Sequence, residues 1–169
     1  MNLEVHVRRK TRDLVCNAAE DALRAGAPEV VRLDRAEAWT FRVDPADAPK
    51  VRQALADSTL VANPNVHRWT FADAPSATAA SEAGRTRVRV RVHDRVDARG
   101  ASVLRAMRDR RGVASLAEVR HAILWTLDVA APRAAAEDLA RRLTGLSGRG
   151  AGLLANPHAQ DVELDVEGP

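Results

Sequence analysis

The chain has 169 residues, 46% of them hydrophobic and 29% charged, with a formal net charge of +3. That length supports a core without disulfides or metal; this much Val and Leu excludes a disordered chain, and the small net charge argues against a dedicated nucleic-acid binder. One cysteine, Cys16, rules out a disulfide framework and a cysteine-based zinc site, while the lack of any apolar run near the roughly 18 residues of a membrane span and of a signal-peptide core points to a cytoplasmic protein.

Of the hydrophobic residues 33 are Ala and only five are Phe or Trp, so the core must come from 19 Val and 16 Leu, a supply suited to thin layers. In chain order, Leu3, Val5 and Val7 alternate with Glu4, His6 and Arg8, the period of a half-buried strand. Leu14, Ala18, Ala22 and Ala25 then fall at helical spacing, with Gly26 and Pro28 as stop signals. A second strand carries Trp39, Phe41 and Val43 on one face. A second helix begins near Asp47 with the stripe Val51, Ala54 and Leu55, and Asn63-Pro64 closes it before a last strand around Val66 to Phe71. Residues 72–84 hold only Ala, Ser, Thr, Asp, Glu, Pro and Gly, and read as a linker.

The same order then returns. Val88, Val90 and Val92 alternate with Arg87, Arg89 and Arg91; Val103, Leu104 and Met107 form a helical stripe before Gly112; Ile123, Trp125, Leu127 and Val129 mark a strand. Pro132 suits the first turn of a helix with the stripe Ala135, Leu139 and Leu143, and Val162 to Val166 closes the copy. Leu60-Val61-Ala62-Asn63-Pro64 recurs as Leu153-Leu154-Ala155-Asn156-Pro157, and Trp39-Thr40-Phe41 as Trp125-Thr126-Leu127. The chain is a tandem duplication, with repeats over 1–71 and 85–169. The expected fold is α+β: two β-α-β-α-β repeats forming a pseudo-twofold pair of antiparallel sheets with helices packed on one face, a homodimer written into one chain. The alternations also predict that the strand of Arg87, Arg89 and Arg91 neighbours that of Glu163, Asp165 and Glu167, so that opposite charges meet across an exposed face.

These elements resemble the PurS family, the small subunit of bacterial phosphoribosylformylglycinamidine synthase. The resemblance rests on Asp97-Ala98-Arg99-Gly100, Val119-Arg120-His121-Ala122-Ile123 and Leu153 to Pro157 in the second repeat, and on Leu60 to Pro64 in the first, where Thr11-Arg12-Asp13 replaces the Asp-x-x-Gly turn. The family's Gly-Lys pair is Ala122-Ile123 here, so contacts of that lysine are not carried over. The resemblance implies a purine-biosynthesis subunit without catalytic residues of its own, a scaffold that bridges synthetase and glutaminase subunits of the ligase complex and aids ammonia transfer. Fusion fits, since the single-chain synthase carries a region that looks like two such units joined. The implied partners are those two subunits, with a homodimer of four repeat units as a further possibility, and with neither nucleic acid nor membrane.

No cofactor and no metal site are expected. His6, His67, His93, His121 and His158 are scattered, and Cys16 reads as a small buried hydrophobe. Gly148-Arg149-Gly150-Ala151-Gly152 lacks the flanking pattern of a phosphate loop and reads as an inserted loop. The candidate interface residues are Asn63, Pro64, Trp69, Arg120, Asn156 and Pro157. The two Asn-Pro pairs also read simply as turns that set the chain's exit, and Trp69 is out of phase with Val66, so one of the two faces outward; an outward Trp69 is an interface anchor. Two other classes stay open: a scaffold of another ATP-dependent amidotransferase complex, motivated by the missing Gly-Lys, and a tandem regulatory module that binds a small ligand.

Overall fold

The computed structural model describes residues 1–72, 84–148 and 152–168. The linker stretch 73–83 and residues 149–151 of the Gly-rich loop lie outside the described residues. The elements are β1 (Asn2–Arg9), α1 (Leu14–Gly26), β2 (Val30–Arg42), a short 3-10 turn (Pro45–Asp47), α2 (Ala48–Ala56), β3 (His67–Phe71), β4 (Thr86–Asp94), α3 (Ala98–Arg111), β5 (Glu118–Val129), α4 (Arg133–Leu143) and β6 (Gln160–Glu167). The fold is α+β. Its strands follow the order β3-β1-β2-β5-β4-β6, and the expected pair of sheets is replaced by this single six-stranded order because β2 and β5 are neighbours. Among the described residues no helix is long and apolar enough to cross a membrane.

The alternations behave as their period requires. Leu3, Val5 and Val7 sit opposite Phe41, Trp39 and Glu37 in an antiparallel ladder, and Val88, Val90 and Val92 sit opposite Leu127, Trp125 and Ile123. The β4–β6 adjacency is present in antiparallel register, with Arg87 opposite Glu167, Arg89 opposite Asp165 and Arg91 opposite Glu163. The ion pairs run partly along diagonals: Arg89 meets both Asp165 and Glu167. Arg87 departs from the expectation of an exposed stripe. It is buried against Asp128 of β5, with bonds from Nε and Nη2 of 2.8 and 3.1 Å, and the hydrogen bond to that carboxylate raises its pKa against the opposing cost of burial.

Compact units do not follow the repeat boundaries. One unit gathers Met1–Thr11, the chain from Ala36 through β3, and Val96–Ala122; the other gathers Arg12–Arg35, β4 with its flanks to Arg95, and the chain from Ile123 onward. In the first, Leu3, Val5, Val7, Trp39, Phe41 and the α2 residues Val51 and Leu55 pack with Val103 and Met107 of α3. In the second, Val88, Val90, Val92, Trp125, Leu127 and the α4 residues Ala136 and Leu139 pack with Ala19 and Leu23 of α1. Each core therefore takes its second helix from its own repeat and its first helix from the other. Strands β2 and β5 each run through both units.

Two helical stripes are shifted from expectation. In α1 the buried residues are Ala19 and Leu23, whereas Leu14 is 70% exposed and Ala18, Ala22 and Ala25 are exposed too. In α4 Ala136, Leu139 and Ala140 are buried in place of Ala135. Helices this rich in Ala offer several stripes of similar hydrophobicity, and the one long buried side chain, Leu23 or Leu139, selects the face. A buried Leu is worth roughly 2 kcal/mol and an Ala far less.

Exchange of the first helices means that neither repeat holds a complete core by itself. Expressed separately, 1–72 and 85–169 are expected to be unfolded or self-associated, and to give a stable one-to-one complex when mixed. Sedimentation equilibrium checks this, and a folded monomer of either half would overturn it.

Candidate docking surface

At the start of each first helix an Asp makes two kinds of bond. Asp97 accepts at Oδ1 from the N–H of Gly100 at 2.7 Å, capping α3, and at Oδ2 from the backbone N–H of His121 at 2.7 Å. The β4–β5 ladder ends at Val92 and Ile123, so the carboxylate takes a strand N–H just beyond the ladder's end. Gly100 makes this possible: a Cβ there would lie 2.3 Å from Asp97 Oδ2 and 2.4 Å from the Val119 carbonyl oxygen. In the first repeat Asp13 does the same work. It accepts at Oδ1 from Val15 and Cys16 N–H at 3.0 and 3.3 Å, and at Oδ2 from Arg35 Nη1 at 2.9 Å. Asp13 is thus the counterpart of Asp97, with Cys16 in place of Gly100, and the closer backbone approach is replaced by the reach of an Arg side chain.

Positions 35 and 121 also cover the tryptophans. The His121 ring lies 4.5 Å from the Trp39 ring in the first unit, and the Arg35 guanidinium lies 5.7 Å from the Trp125 ring centre in the second. Both indole N–H groups are buried and meet no acceptor among the described residues, so packing and ring-face contacts hold these side chains.

The Asn-Pro pairs form turns. Asn63 Oδ1 accepts from Asn65 N–H at 3.0 Å, its N–H donates to His67 Nδ1 at 3.1 Å, and its carbonyl accepts from Val66 and His67. Asn156 repeats the pattern with His158 N–H at 3.1 Å, Gln160 Oε1 at 2.9 Å, and the N–H groups of Ala159 and Gln160. These are Asx turns that feed the last strand of each repeat. Asn63, Pro64 and Asn156 are exposed and Pro157 half-buried, so each motif still offers its surface. Arg120 is exposed on β5. Asn63, Pro64, Trp69 and Arg120 belong to the first compact unit, Asn156 and Pro157 to the second.

Trp69 is half-buried on β3, edge-on to Phe71 with ring centres 5.4 Å apart, while Val66 precedes the strand and is exposed. Trp69 and Phe71 pack against the first core, and the Arg52 guanidinium of α2 lies 3.9 Å from the Phe71 ring centre. Counting from the two Asn-Pro turns, the counterparts of Trp69 and Phe71 are Val162 and Leu164. Counting from Asp47 and Pro132 at the helix starts, the counterpart of Arg52 is Glu137.

The smaller side chains leave a groove of about 300 Å³ between α4 and β6, lined by Arg133, Glu137, Arg141, Leu146, Val162, Leu164, Asp165 and Val166. Arg133, Glu137 and Arg141 lie four residues apart along one helix face, and Arg141 pairs with Glu137 at 2.9 Å. The groove's residues are absent from the sequence-based candidates, because lost bulk forms no motif; aligning β3 with β6 through their Asn-Pro turns is the signal that exposes it.

Other reactive groups have local partners. His6 Nε2 meets Glu4 at 2.6 Å, His93 and His121 are buried, and among the described residues no three His, Cys, Asp or Glu side chains are grouped to hold a metal. Cys16 is half-buried, and burial, reinforced by Glu20, Asp13 and Asp34, pushes its thiol up to about 11, which keeps it protonated at neutral pH.

Two variants test this construction. Gly100→Ala is expected to cost about 1–3 kcal/mol of stability through overpacking, while Cys16→Ala changes stability by less than about 1 kcal/mol; urea unfolding at neutral pH compares them. For Asp13, burial raises the pKa, but the bonds and charge of Arg35 together with the Val15 and Cys16 N–H groups outweigh it and hold the carboxyl below its ordinary value of 3.8. Its stabilising effect is therefore present above that value and lost as pH falls through the lower, folded-state pKa. Stability between pH 5 and about 3 should fall less steeply in Asp13→Asn than in the parent chain, and parallel curves would remove Asp13 from the acid response.

No protein-family model and no curated protein matches the chain.

Proposed function

We propose that the chain is a tandem PurS-like scaffold, a non-catalytic subunit of phosphoribosylformylglycinamidine synthase that bridges its synthetase and glutaminase subunits and aids ammonia transfer. On this reading the two β-α-β-α-β repeats are a fused pseudo-twofold pair. The observation that carries it is the exchange of first helices between the repeats: each core is completed by a helix of the other repeat, as a fused pair of copies requires. Support comes from the Asp97-to-Gly100 turn and from the Asn-Pro turns, whose exposed residues Asn63, Pro64 and Asn156 are, with Trp69 and Arg120, the candidate contacts.

Buried Ala122 and half-buried Ile123 at the place of the family's Gly-Lys favour a second reading, a scaffold for another ATP-dependent amide- or amidine-forming complex. Reconstitution separates the two. With the cognate synthetase and glutaminase of the purine enzyme, omitting the chain should lower glutamine-dependent activity and spare activity with added ammonia. Unchanged glutamine-dependent activity would overturn the synthase assignment, and failure to co-purify with either subunit would count against it too.

A further inference from the structure

Strand β6 ends the sheet order. Among the described residues it is paired on one side, to β4, so its outer edge presents backbone donors and acceptors that a further strand can use. Beside that edge lies the α4–β6 groove, in whose lining Val162, Leu164, Val166 and Leu146, the last 43% exposed, stand with the charged Arg133, Glu137, Arg141 and Asp165. In the first repeat Trp69, Phe71 and Arg52 fill the corresponding place. Alternating with Val162, Leu164 and Val166 along β6 are Asp161, Glu163, Asp165 and Glu167, each with its side chain more than half exposed, and Asp165 also borders the groove.

We propose that this edge receives an extended peptide segment of a partner protein, in which Arg or Lys alternates with apolar residues, laid along β6 as an added strand. Alternate side chains of a strand project to opposite faces. The apolar set enters the groove beside Arg133 and Arg141, and the basic set meets the acidic row on the other face. The protein displays this match on the strand's inner side, where Arg87 to Val92 of β4 set Arg against Glu or Asp and Val against Val or Leu in register with β6. A second copy of β6 is a poor occupant, because antiparallel pairing of two such edges places carboxylates near carboxylates. Strand addition of this kind draws affinity from main-chain bonds and selectivity from alternate pockets. The inference does not depend on which enzymes the chain serves.

The probe is a fluorescein-labelled peptide with the β4 sequence, Thr86 to Asp94, titrated with the full chain and followed by anisotropy. Saturable binding is expected, weakened roughly tenfold both by Glu163→Lys with Asp165→Lys and by Val162→Trp with Leu164→Phe, which installs the first repeat's groove-filling residues. A peptide with Glu for each Arg should not bind. Should the filled variant fail to fold, Leu146→Glu at the exposed Leu of the groove's lining is expected to weaken binding in its place. Absence of saturation, equal binding of both peptides, or equal binding by parent and variants would overturn the proposal. So would concentration-dependent dimerisation of the parent that the groove-filling change abolishes while the peptide leaves it untouched, since the occupant would then be a second copy.

Discussion

Two carboxylates hold the arrangement in place. Asp13 and Asp97 each satisfy the first N–H groups of a helix and, with the other oxygen, grip a residue just beyond the end of a strand ladder. A cap alone contributes about 1 kcal/mol. Here the same atoms also fix where the helix begins relative to the strand that it covers. From that start, Leu23 and Met107 supply the long side chains that each helix buries. The two repeats reach the same end by different means, close backbone approach at Gly100 and a long guanidinium at Arg35, which shows that the grip is retained while its chemistry drifts.

Duplication leaves room for such drift. The two closing strands occupy corresponding places, yet one carries Trp69 and Phe71 and the other Val162 and Leu164. An aromatic pair fills the angle between helix and strand, whereas branched aliphatic side chains leave it open and Arg133 and Arg141 line the space. The electrostatics differ as well. Against the lone Arg68 among charged residues of β3, β6 bears Asp161, Glu163, Asp165 and Glu167, largely answered by Arg89, His93 and Arg95 on and just beyond its neighbour β4. These exposed pairs are individually weak. They serve register more than stability, because sliding β6 by one residue would turn Val162, Leu164 and Val166 away from the core.

Much of the fold was legible because period-two alternation is unambiguous: Val5, Val90, Trp39 and Trp125 could face only one way. The order of elements and the β4–β6 pairing followed from the same logic. The helix exchange was not legible, since α1 presents the same local pattern whether it covers its own repeat or the other. The phase of α1 was hidden by alanine at 18, 19, 22 and 25, with Leu23 alone deciding. Thr11-Arg12-Asp13 reads as a replacement of the Asp-x-x-Gly turn, because Cys16 stands where the second repeat has Gly100, and this hid Asp13 as the counterpart of Asp97. Of the candidate surface, the Asn-Pro turns and Trp69 stood out through repetition and aromatic character; the groove did not, because it exists through what Val162 and Leu164 lack.

Strands β2 and β5 are long, 13 and 12 residues, and each contributes to both hydrophobic clusters, Leu33 to one and Trp39 to the other in β2, Val119 and Trp125 likewise in β5. Loss of either cluster would therefore leave part of each of these two strands without its apolar cover. The open cleft beside α4 is tolerated because Ala136, Leu139 and Val166 stay buried within the same cluster.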